Sequence, residues 1–131
     1  MTVGDVQRSK GPRTVAYIGA FSLPDRNAAA HRVIANARVL SELGYQVIFL
    51  ETGTREVDDF PKERVVQGFK TYDLRQPKSV SGATIRAIGD RRVDTILKNQ
   101  SRLCAVIAYN YPAIALRRLR TLCHALTVKC I

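Results

Sequence analysis

Apolar residues occur along this chain in short runs and in helix-spaced stretches, and residues 14–51 show this pattern most clearly. Residues 14–18 form an apolar run that breaks at Gly19, and a polar loop follows. Residues 28–43 repeat apolar positions at three- and four-residue intervals, and a second apolar run covers residues 47–50. Short apolar runs rich in β-branched residues are typical of strands buried on both faces. The three- and four-residue spacing of apolar positions in residues 28–43 is typical of an amphipathic helix. The block therefore predicts one strand–helix–strand unit.

The predicted helix has a start signal and a stop signal. The side-chain oxygen of Asn27 can accept an orphan backbone N–H of the first turn, and Gly44 suits the left-handed position just past a helix end. The apolar face that would cover the strands consists of Ala30, Val33, Ile34, Ala37, Leu40 and Leu43.

Further along the chain, residues 65–72 predict a third strand, and their glycine and alternating polar positions indicate the edge of a sheet. Residues 82–98 predict a helix. Gly89 weakens it by about 1 kcal/mol relative to alanine, which leaves open a division into two pieces. Residues 103–109 predict a buried strand, and Pro112 fits the first position of the helix that follows.

Residues 126–131 predict a fifth strand. Alternating strands and helices are typical of an α/β fold with a parallel sheet, and right-handed crossovers leave few arrangements. We therefore expect a Rossmann-like three-layer domain with about five strands in the order 3-2-1-4-5. Residues 1–12 lack the apolar core of a signal peptide and are expected to form a flexible tail, so that residues 13–131 make a single domain.

The chain is strongly basic, with 21 Lys and Arg residues against 11 acidic residues and a net charge of +10. Such an excess favours a polyanionic neighbour, namely nucleic acid, an anionic membrane surface or a phosphate-bearing substrate, but an ordinary solvated basic surface explains it equally well. No run of about 18 apolar residues is present, so a membrane-spanning helix is not expected. The default location is the cytoplasm.

The three cysteines are expected to be buried, reduced thiols. Cys104 and Cys130 fall in predicted strands, where thiols pack as small apolar groups, and no C-x-x-C pair occurs. His124 adjoins Cys123, but neighbouring residues on a helix point in different directions. Neither a disulfide framework nor a metal site is therefore predicted.

In a sheet of the expected order, the connections from strands 1 and 4 leave in opposite directions and open a crevice at their carboxyl ends. Two segments should line it, residues 19–27 and residues 110–112. The helix that starts at residue 28 offers free N–H groups and the positive end of a dipole to an anion. The candidate binding residues are Gly19, Asn27, His31, Arg32, Asn110 and Tyr111.

Each candidate has a structural alternative. His31 and Arg32 could add donors to a phosphate or a sugar hydroxyl, or could simply be surface side chains. Asn110 could hydrogen-bond a sugar beside Tyr111 as a stacking wall, or these residues could serve only as a turn and a packed aromatic. The glycine-rich dinucleotide and phosphate-loop motifs are absent, which leaves Glu51 a weak candidate for a ribose ligand. No nucleophile elbow, catalytic carboxylate pair or metal cluster occurs, so catalytic residues remain unassigned.

The first strand–helix–strand unit and the fourth strand resemble the N-terminal domain of GT-B-fold glycosyltransferases, family 4 in particular. The strand 4 counterpart is residues 106–110. The family's glycine pair would fall at Asn27 and Ala28, and many members carry histidine at the position of Asn110. The matching residues in the first unit are Gly19, Pro24, His31, Arg32, Val33, Ala37, Leu40, Gly44, Tyr45 and Val47.

The resemblance implies the acceptor-side domain of a retaining glycosyltransferase with a nucleotide-sugar donor and a sugar or lipid-linked acceptor. Such enzymes hold most of the donor site in a second domain, so we expect this chain to be inactive without one. No cofactor or metal is expected. Peripheral contact with the anionic inner face of a membrane is expected through Arg86, Arg91, Arg92, Arg117, Arg118 and Arg120.

Two other classes of function remain open. The first is a stand-alone Rossmann-like or flavodoxin-like module that binds a nucleotide or a partner protein. A receiver domain would carry paired acids after strand 1, whereas Asp25 stands alone there. The second is nucleic-acid binding driven by the charge. Because no recognisable reading motif or basic tract with interleaved aromatics occurs, nucleic acid is not the expected partner.

Overall fold

The structure is a computed structural model that describes residues 11–21, 23, 27–55 and 63–131. Most of the expected tail, residues 1–10, lies outside this described part. The helices are Ala28–Glu42 (α1), Val80–Ile88 (α2), Arg91–Lys98 (α3) and Ala113–Leu126 (α4). The strands are Thr14–Gly19 (β1), Gln46–Glu51 (β2), Thr54–Arg55 (β3), Glu63–Val66 (β4), Phe69–Asp73 (β5), Gln76–Pro77 (β6), Leu103–Tyr109 (β7) and Lys129–Cys130 (β8).

A six-stranded sheet in the order β4-β5-β2-β1-β7-β8 forms the centre of the fold, and β3 and β6 form a small second sheet. All neighbouring strands of the main sheet are parallel except β4 and β5. Helix α1 packs on one face, and α3 and α4 pack on the other. The chain is therefore a mixed α/β fold that is broadly Rossmann-like.

The edge of the sheet differs from the predicted five-strand order 3-2-1-4-5. The segment predicted as one third strand is an antiparallel hairpin of β4 and β5, which adds a sixth strand outside the predicted set. The reversal occurs at Gln67 (φ 49°) and Gly68 (φ 88°). Two successive residues with positive φ make the tight turn that suits the twist of hairpin strands. The glycine that indicated a weak strand marks this turn instead.

The first strand–helix–strand unit is confirmed. Strands β1 and β2 pair in parallel without a register shift, from Thr14 opposite Gln46 to Gly19 opposite Glu51. Asn27 caps α1 by accepting a hydrogen bond from the backbone N of Ala30 at 2.8 Å. Beyond the other end, Gly44 has a φ of 95°, as the sequence predicts. The buried face of the helix comprises Ala30, Val33, Ile34 and Ala37. Leu40 is half-buried and Leu43 is exposed, so the predicted apolar face extends too far towards the end of the helix.

On the opposite face the predicted helix over residues 82–98 is divided into α2 and α3. Gly89 adopts a φ of 113°, and Asp90 caps α3 by accepting from the backbone N of Arg92 at 2.9 Å. Helix α4 begins one residue after Pro112 and continues to Leu126, further than predicted. The predicted last strand is consequently shorter, because Thr127 takes a left-handed conformation before β8.

Among the described residues, no helix combines the length and the apolar character needed to cross a lipid bilayer.

Candidate functional site

The carboxyl ends of β1 and β7 meet where the connections from these neighbouring strands diverge. Strand β1 leads through α1 to β2 on one side, whereas β7 leads through α4 to β8 on the other. Gly19 and Tyr109 are register partners at this end. A cleft of about 200 Å³ opens here, bordered by Ala20, Asn110 and Tyr111. Such a divergence point is where open α/β sheets bind ligands.

Most of the cleft surface is apolar, and several elements place polar side chains within it. Thr52 and Thr54 contribute hydroxyl groups from the segment after β2. Gln76, Arg86 and Asp90 contribute an amide, a guanidinium and a carboxylate from the opposite wall. Hydroxyl, amide and charged groups around a small concavity provide donors and acceptors of both kinds. The cleft can therefore hydrogen-bond a ligand that carries several hydroxyl or carbonyl groups.

Asn110 and Tyr111, two of the predicted site residues, lie together in this cleft. Asn110 is exposed and has a φ of 49°, a conformation that asparagine tolerates better than most residues. Tyr111 is half-buried. Burial, and then the carboxylates of Asp90 and Asp94, raise the pKa of Tyr111 to about 12. Its phenol therefore keeps its proton at neutral pH and can donate a hydrogen bond.

Asp90 is a cleft residue that the sequence analysis missed. Its carboxylate accepts from Arg92 Nη2 at 2.6 Å and from Gln76 Nε2 at 3.1 Å. Burial alone would raise its pKa, but the hydrogen bonds from Arg92 and Gln76 outweigh burial and lower it below the usual value. The group is thus a carboxylate at neutral pH. An acidic cap signal was present in the sequence, since Asp90 follows Gly89 immediately before an amphipathic stretch.

Gly19 is held in place by the neighbouring strand. A Cβ at this position would lie 1.9 Å from the carbonyl oxygen of Tyr109 and 3.3 Å from the ring of Phe21. Real Cβ atoms do not approach backbone this closely, so β1 and β7 require glycine here whatever ligand the cleft takes. This close approach accounts for the glycine without a ligand.

Asn27 precedes α1, and His31 and Arg32 lie in its first two turns. None of these three predicted residues is among those that line the cleft. Asn27 uses its side-chain oxygen to cap the helix. His31 and Arg32 are exposed. Arg32 Nη1 donates to the hydroxyl of Tyr109 at 3.5 Å, which brings it towards β7. The structure thus brings Asn110 and Tyr111 together in the cleft, whereas Asn27, His31 and Arg32 do not line it.

Glu51, the weak ribose candidate at the end of β2, is completely buried. Its Oε2 accepts from the backbone N of Leu23 at 2.9 Å. Its Oε1 lies 2.8 Å from Arg64 Nη2 and 3.2 Å from Arg75 Nε. Because both oxygens are engaged and the side chain has no exposed surface, Glu51 has a structural role rather than contact with a ribose.

Asp73 completes this network at the end of β5. It lies 2.8 Å from Arg75 Nη2 and 3.6 Å from Arg64 Nη1. Burial alone would raise its pKa, but the hydrogen bonds from Arg75 and the charges of Arg75 and Arg64 lower it below the usual value. We call Glu51, Arg64, Asp73 and Arg75 the buried ion network. It fixes the carboxyl ends of β2 and β5 beside the cleft.

Comparison of the chain with protein families, with curated proteins and with solved structures found no match in any of the three. The chemistry of the cleft is therefore the basis for assigning a ligand class. Within the described residues, no group of three or more His, Cys, Asp or Glu side chains could hold a metal ion.

Proposed function

We propose that this chain is the acceptor-side domain of a glycosyltransferase, and that the cleft beside β1 and β7 receives part of a sugar substrate. The observation that carries the proposal is a cleft at the divergence point of the sheet, in which hydroxyl, amide and charged side chains stand within a mainly apolar lining. Catalysis would require a second, donor-binding domain that holds the nucleotide sugar. The resemblance to GT-B enzymes supports the same role.

The groups in the cleft suit a sugar. Sugars present hydroxyl groups that both donate and accept, and also a patch of C–H groups that packs on aromatic rings. The Asn110 amide both donates and accepts, whereas both oxygens of Asp90 already accept from Arg92 and Gln76. Tyr111 supplies the half-buried ring, and the hydroxyls of Thr52 and Thr54 complete the set. The cleft thus matches both the polar and the apolar faces of a pyranose.

The size of the cleft supports a partial site. Closed small-molecule sites usually enclose roughly 300–1,000 Å³. At about 200 Å³ and open to solvent, this cleft holds a single sugar ring rather than a whole nucleotide sugar. Weak binding by the isolated chain, with a dissociation constant of about 1 mM or above, is therefore expected.

An amide-resolved NMR titration tests the proposal. Monosaccharides and short oligosaccharides should shift the resonances of Gln76, Asn110 and Tyr111, and Asn110→Ala should reduce these shifts. Asn99→Ala is the matched control, because Asn99 is exposed at the end of α3 and does not line the cleft. Absence of saturable shifts in the cleft for every sugar tested, with the fold intact, would reject a sugar site.

The alternative is a stand-alone module that binds a nucleotide or a partner. One observation favours a nucleotide: α1 has no acidic residue in its first turn, and His31 and Arg32 are exposed there. The same NMR titration distinguishes a sugar site in the cleft from a nucleotide site at the start of α1. A nucleotide that acts through its phosphates should shift the amides of residues 28–32 and leave the cleft unchanged.

We also propose that anionic lipid is a partner. Of the six arginines named for this contact, three are engaged: Arg86 with the carbonyl of Pro77, Arg92 with Asp90, and Arg118 with Asp94. The other three have no ion-pair partner among the described residues, and all three are exposed: Arg91, Arg117 and Arg120.

Sedimentation with anionic liposomes at low and high salt tests this contact. Arg117→Gln combined with Arg120→Gln should release the chain at a lower salt concentration than wild type, since each basic residue near the surface contributes about 1 kcal/mol. Arg38→Gln combined with Lys70→Gln removes the same charge elsewhere and is the matched control. If anionic lipid fails to retain wild type at low salt, the membrane contact is rejected.

A further inference from the structure

Cys123 and Cys130 lie against each other where α4 gives way to β8. Cys123 is in the last turn of α4 and is 1% exposed. Cys130 is half-buried and packs against the same apolar core. The neighbouring Cys130 contributes to the raised pKa of the Cys123 thiol. Both also line one groove of about 520 Å³. All three cysteines were predicted to be buried, reduced thiols, but only Cys123 is buried, whereas Cys104 and Cys130 are half-buried.

The backbone holds this thiol pair in position from both sides. Thr127 reverses the chain in a left-handed conformation, and the backbone N of Val128 donates to the carbonyl of Cys123 at 2.9 Å. On the other side, Cys130 is the register partner of Val106, and the backbone N of Ile131 donates to the carbonyl of Val106 at 2.8 Å. The backbone on both sides of the pair is therefore fixed, with both cysteines at one groove.

The two thiols differ in access. Burial, reinforced by the neighbouring Cys130, raises the pKa of Cys123 to about 12, so this thiol keeps its proton. Cys130 is the more exposed of the two and is the sulfur that a reagent meets first. The groove beside the pair is also lined by Arg117, Arg120 and His124. Basic groups around a groove concentrate anionic reagents, and glutathione is such a reagent.

We propose that Cys123 and Cys130 are a reversible redox pair that forms a disulfide joining α4 to β8. A disulfide of the glutathione class is the oxidant. The Cys130 thiolate attacks one sulfur of oxidised glutathione and releases one glutathione thiolate. Cys123 then gives up its proton and attacks the Cys130 sulfur of the mixed disulfide, which releases the second glutathione. Two electrons pass from the two protein thiols to the oxidant, and two protons leave with them.

Cys104 is the internal control for this proposal. It lies in β7 at the point where the register with β1 shifts, between Leu103 opposite Thr14 and Ala105 opposite Val15. Cys104 does not line the groove that contains the thiol pair. The proposed reaction therefore consumes two of the three thiols and leaves Cys104 reduced.

The experiment treats the folded chain, at about 1 µM, with graded ratios of oxidised to reduced glutathione, followed by acid quenching and alkylation. The oxidised form should be about 2 Da lighter before alkylation and should take up one alkyl group instead of three. Trypsin cleaves after Arg120 and Lys129, so the product should contain residues 121–129 joined to residues 130–131. Dithiothreitol should restore three alkylation sites.

Variants make the assignment specific. Cys104→Ser should give the same joined peptides as wild type, whereas Cys130→Ser should abolish them and leave Cys123 unreactive until the chain is unfolded. Cys123→Ala should trap a glutathione adduct on Cys130. Three outcomes would overturn the proposal: stable glutathione adducts on wild type without the internal bond, a disulfide that includes Cys104, or full alkylation at every glutathione ratio.

Discussion

A carboxylate with no exposed surface is stable in this fold because two guanidinium groups and a backbone N–H replace its water. The Glu51 carboxylate forms ion pairs with Arg64 and Arg75 and accepts a hydrogen bond from the backbone N–H of Leu23. Asp73 shares the same two arginines, so the buried ion network contains two acids and two bases. Charges buried as balanced pairs avoid most of the desolvation cost that a single charge would carry.

Removing one acid from this network should therefore be costly. Glu51→Gln keeps an oxygen for the N–H of Leu23 but leaves two arginines facing one carboxylate. We expect the free energy of unfolding in urea to fall by about 2–4 kcal/mol. Glu63→Gln is the matched control, because Glu63 and its partner Lys70 are both about half exposed, and such pairs contribute roughly 0–1 kcal/mol. Equal losses in the two variants would contradict a special role for burial.

The pH dependence should follow Asp73. Because its pKa is lowered in the folded state, the unfolded chain binds more protons just below the ordinary aspartate pKa of about 3.9. The stabilisation from Asp73 is thus fully present above about pH 4 and is lost as the pH falls through the folded pKa. Urea midpoints from pH 6 to pH 2 should fall less steeply in Asp73→Asn than in wild type. An equally steep fall in the two proteins would contradict this role of Asp73.

For individual residues, the sequence predicted where a polar side chain lies along a strand or helix better than it predicted which groups that side chain contacts. Asn27 was predicted to cap a helix and does so. Glu51 was noticed at the end of a strand, but its partner Arg75 is far along the chain and becomes a neighbour only when β5 pairs with β2. Tyr111 was predicted near the site, whereas Asp90 was not, because its position depends on how α3 packs. Long-range pairing decides which polar residues meet, and no local pattern contains it.

At the scale of elements, the unpredicted features are places where the backbone takes a positive φ without a glycine. Gln67 forms half of the β4–β5 turn, and Thr127 ends α4. Glycine marks the end of α1 at Gly44, which was predicted, and the break at Gly89, which the sequence left open. Threonine at a helix end carries no such signal, because β-branched residues disfavour this conformation. The last strand was consequently predicted over residues 126–131, whereas it covers only Lys129–Cys130.

Replacing threonine by glycine should have opposite effects on the free energy of unfolding at Thr127 and at Thr121. The φ of 58° at Thr127 strains a β-branched residue, so Thr127→Gly should raise the free energy of unfolding by about 0.5–1 kcal/mol. Thr121→Gly, in the middle of the same helix, should lower it by about 0.5–1 kcal/mol. Urea unfolding measures both. A loss of stability in both variants would mean that Thr127 makes contacts that outweigh its strain.

For the whole molecule, the alternation of strands and helices was sufficient to predict a Rossmann-like α/β fold, because crossover handedness leaves few choices. The pattern could not predict the antiparallel β4, since a hairpin adds a strand without adding a helix. The location of the cleft was predictable, because it follows from the divergence of β1 and β7. Its lining was only partly predictable, because Gln76, Arg86 and Asp90 reach it from segments that have no sequence motif.

Charge is the other property of the whole molecule, and it is unevenly distributed. Residues 113–131 contain no acidic residue, although the chain as a whole carries 11. Arg120 is exposed on α4, one turn from Arg117. Like charges at this spacing destabilise a helix by about 0.2–0.5 kcal/mol per pair. The basic surface therefore costs stability unless an anion or salt screens it.

Charge reversal at one position measures this cost. Arg120→Glu should replace repulsion by attraction and raise the free energy of unfolding by about 0.5–1 kcal/mol in low salt. The gain should largely disappear near 1 M salt, where the screening length is about 3 Å. Arg120→Gln removes the repulsion alone and should give roughly half the gain. Because position 120 lies in the middle of α4, the helix dipole contributes little there. A gain that persists undiminished in high salt would point to helix propensity or packing instead, and the stability of this surface would then be independent of any anionic partner.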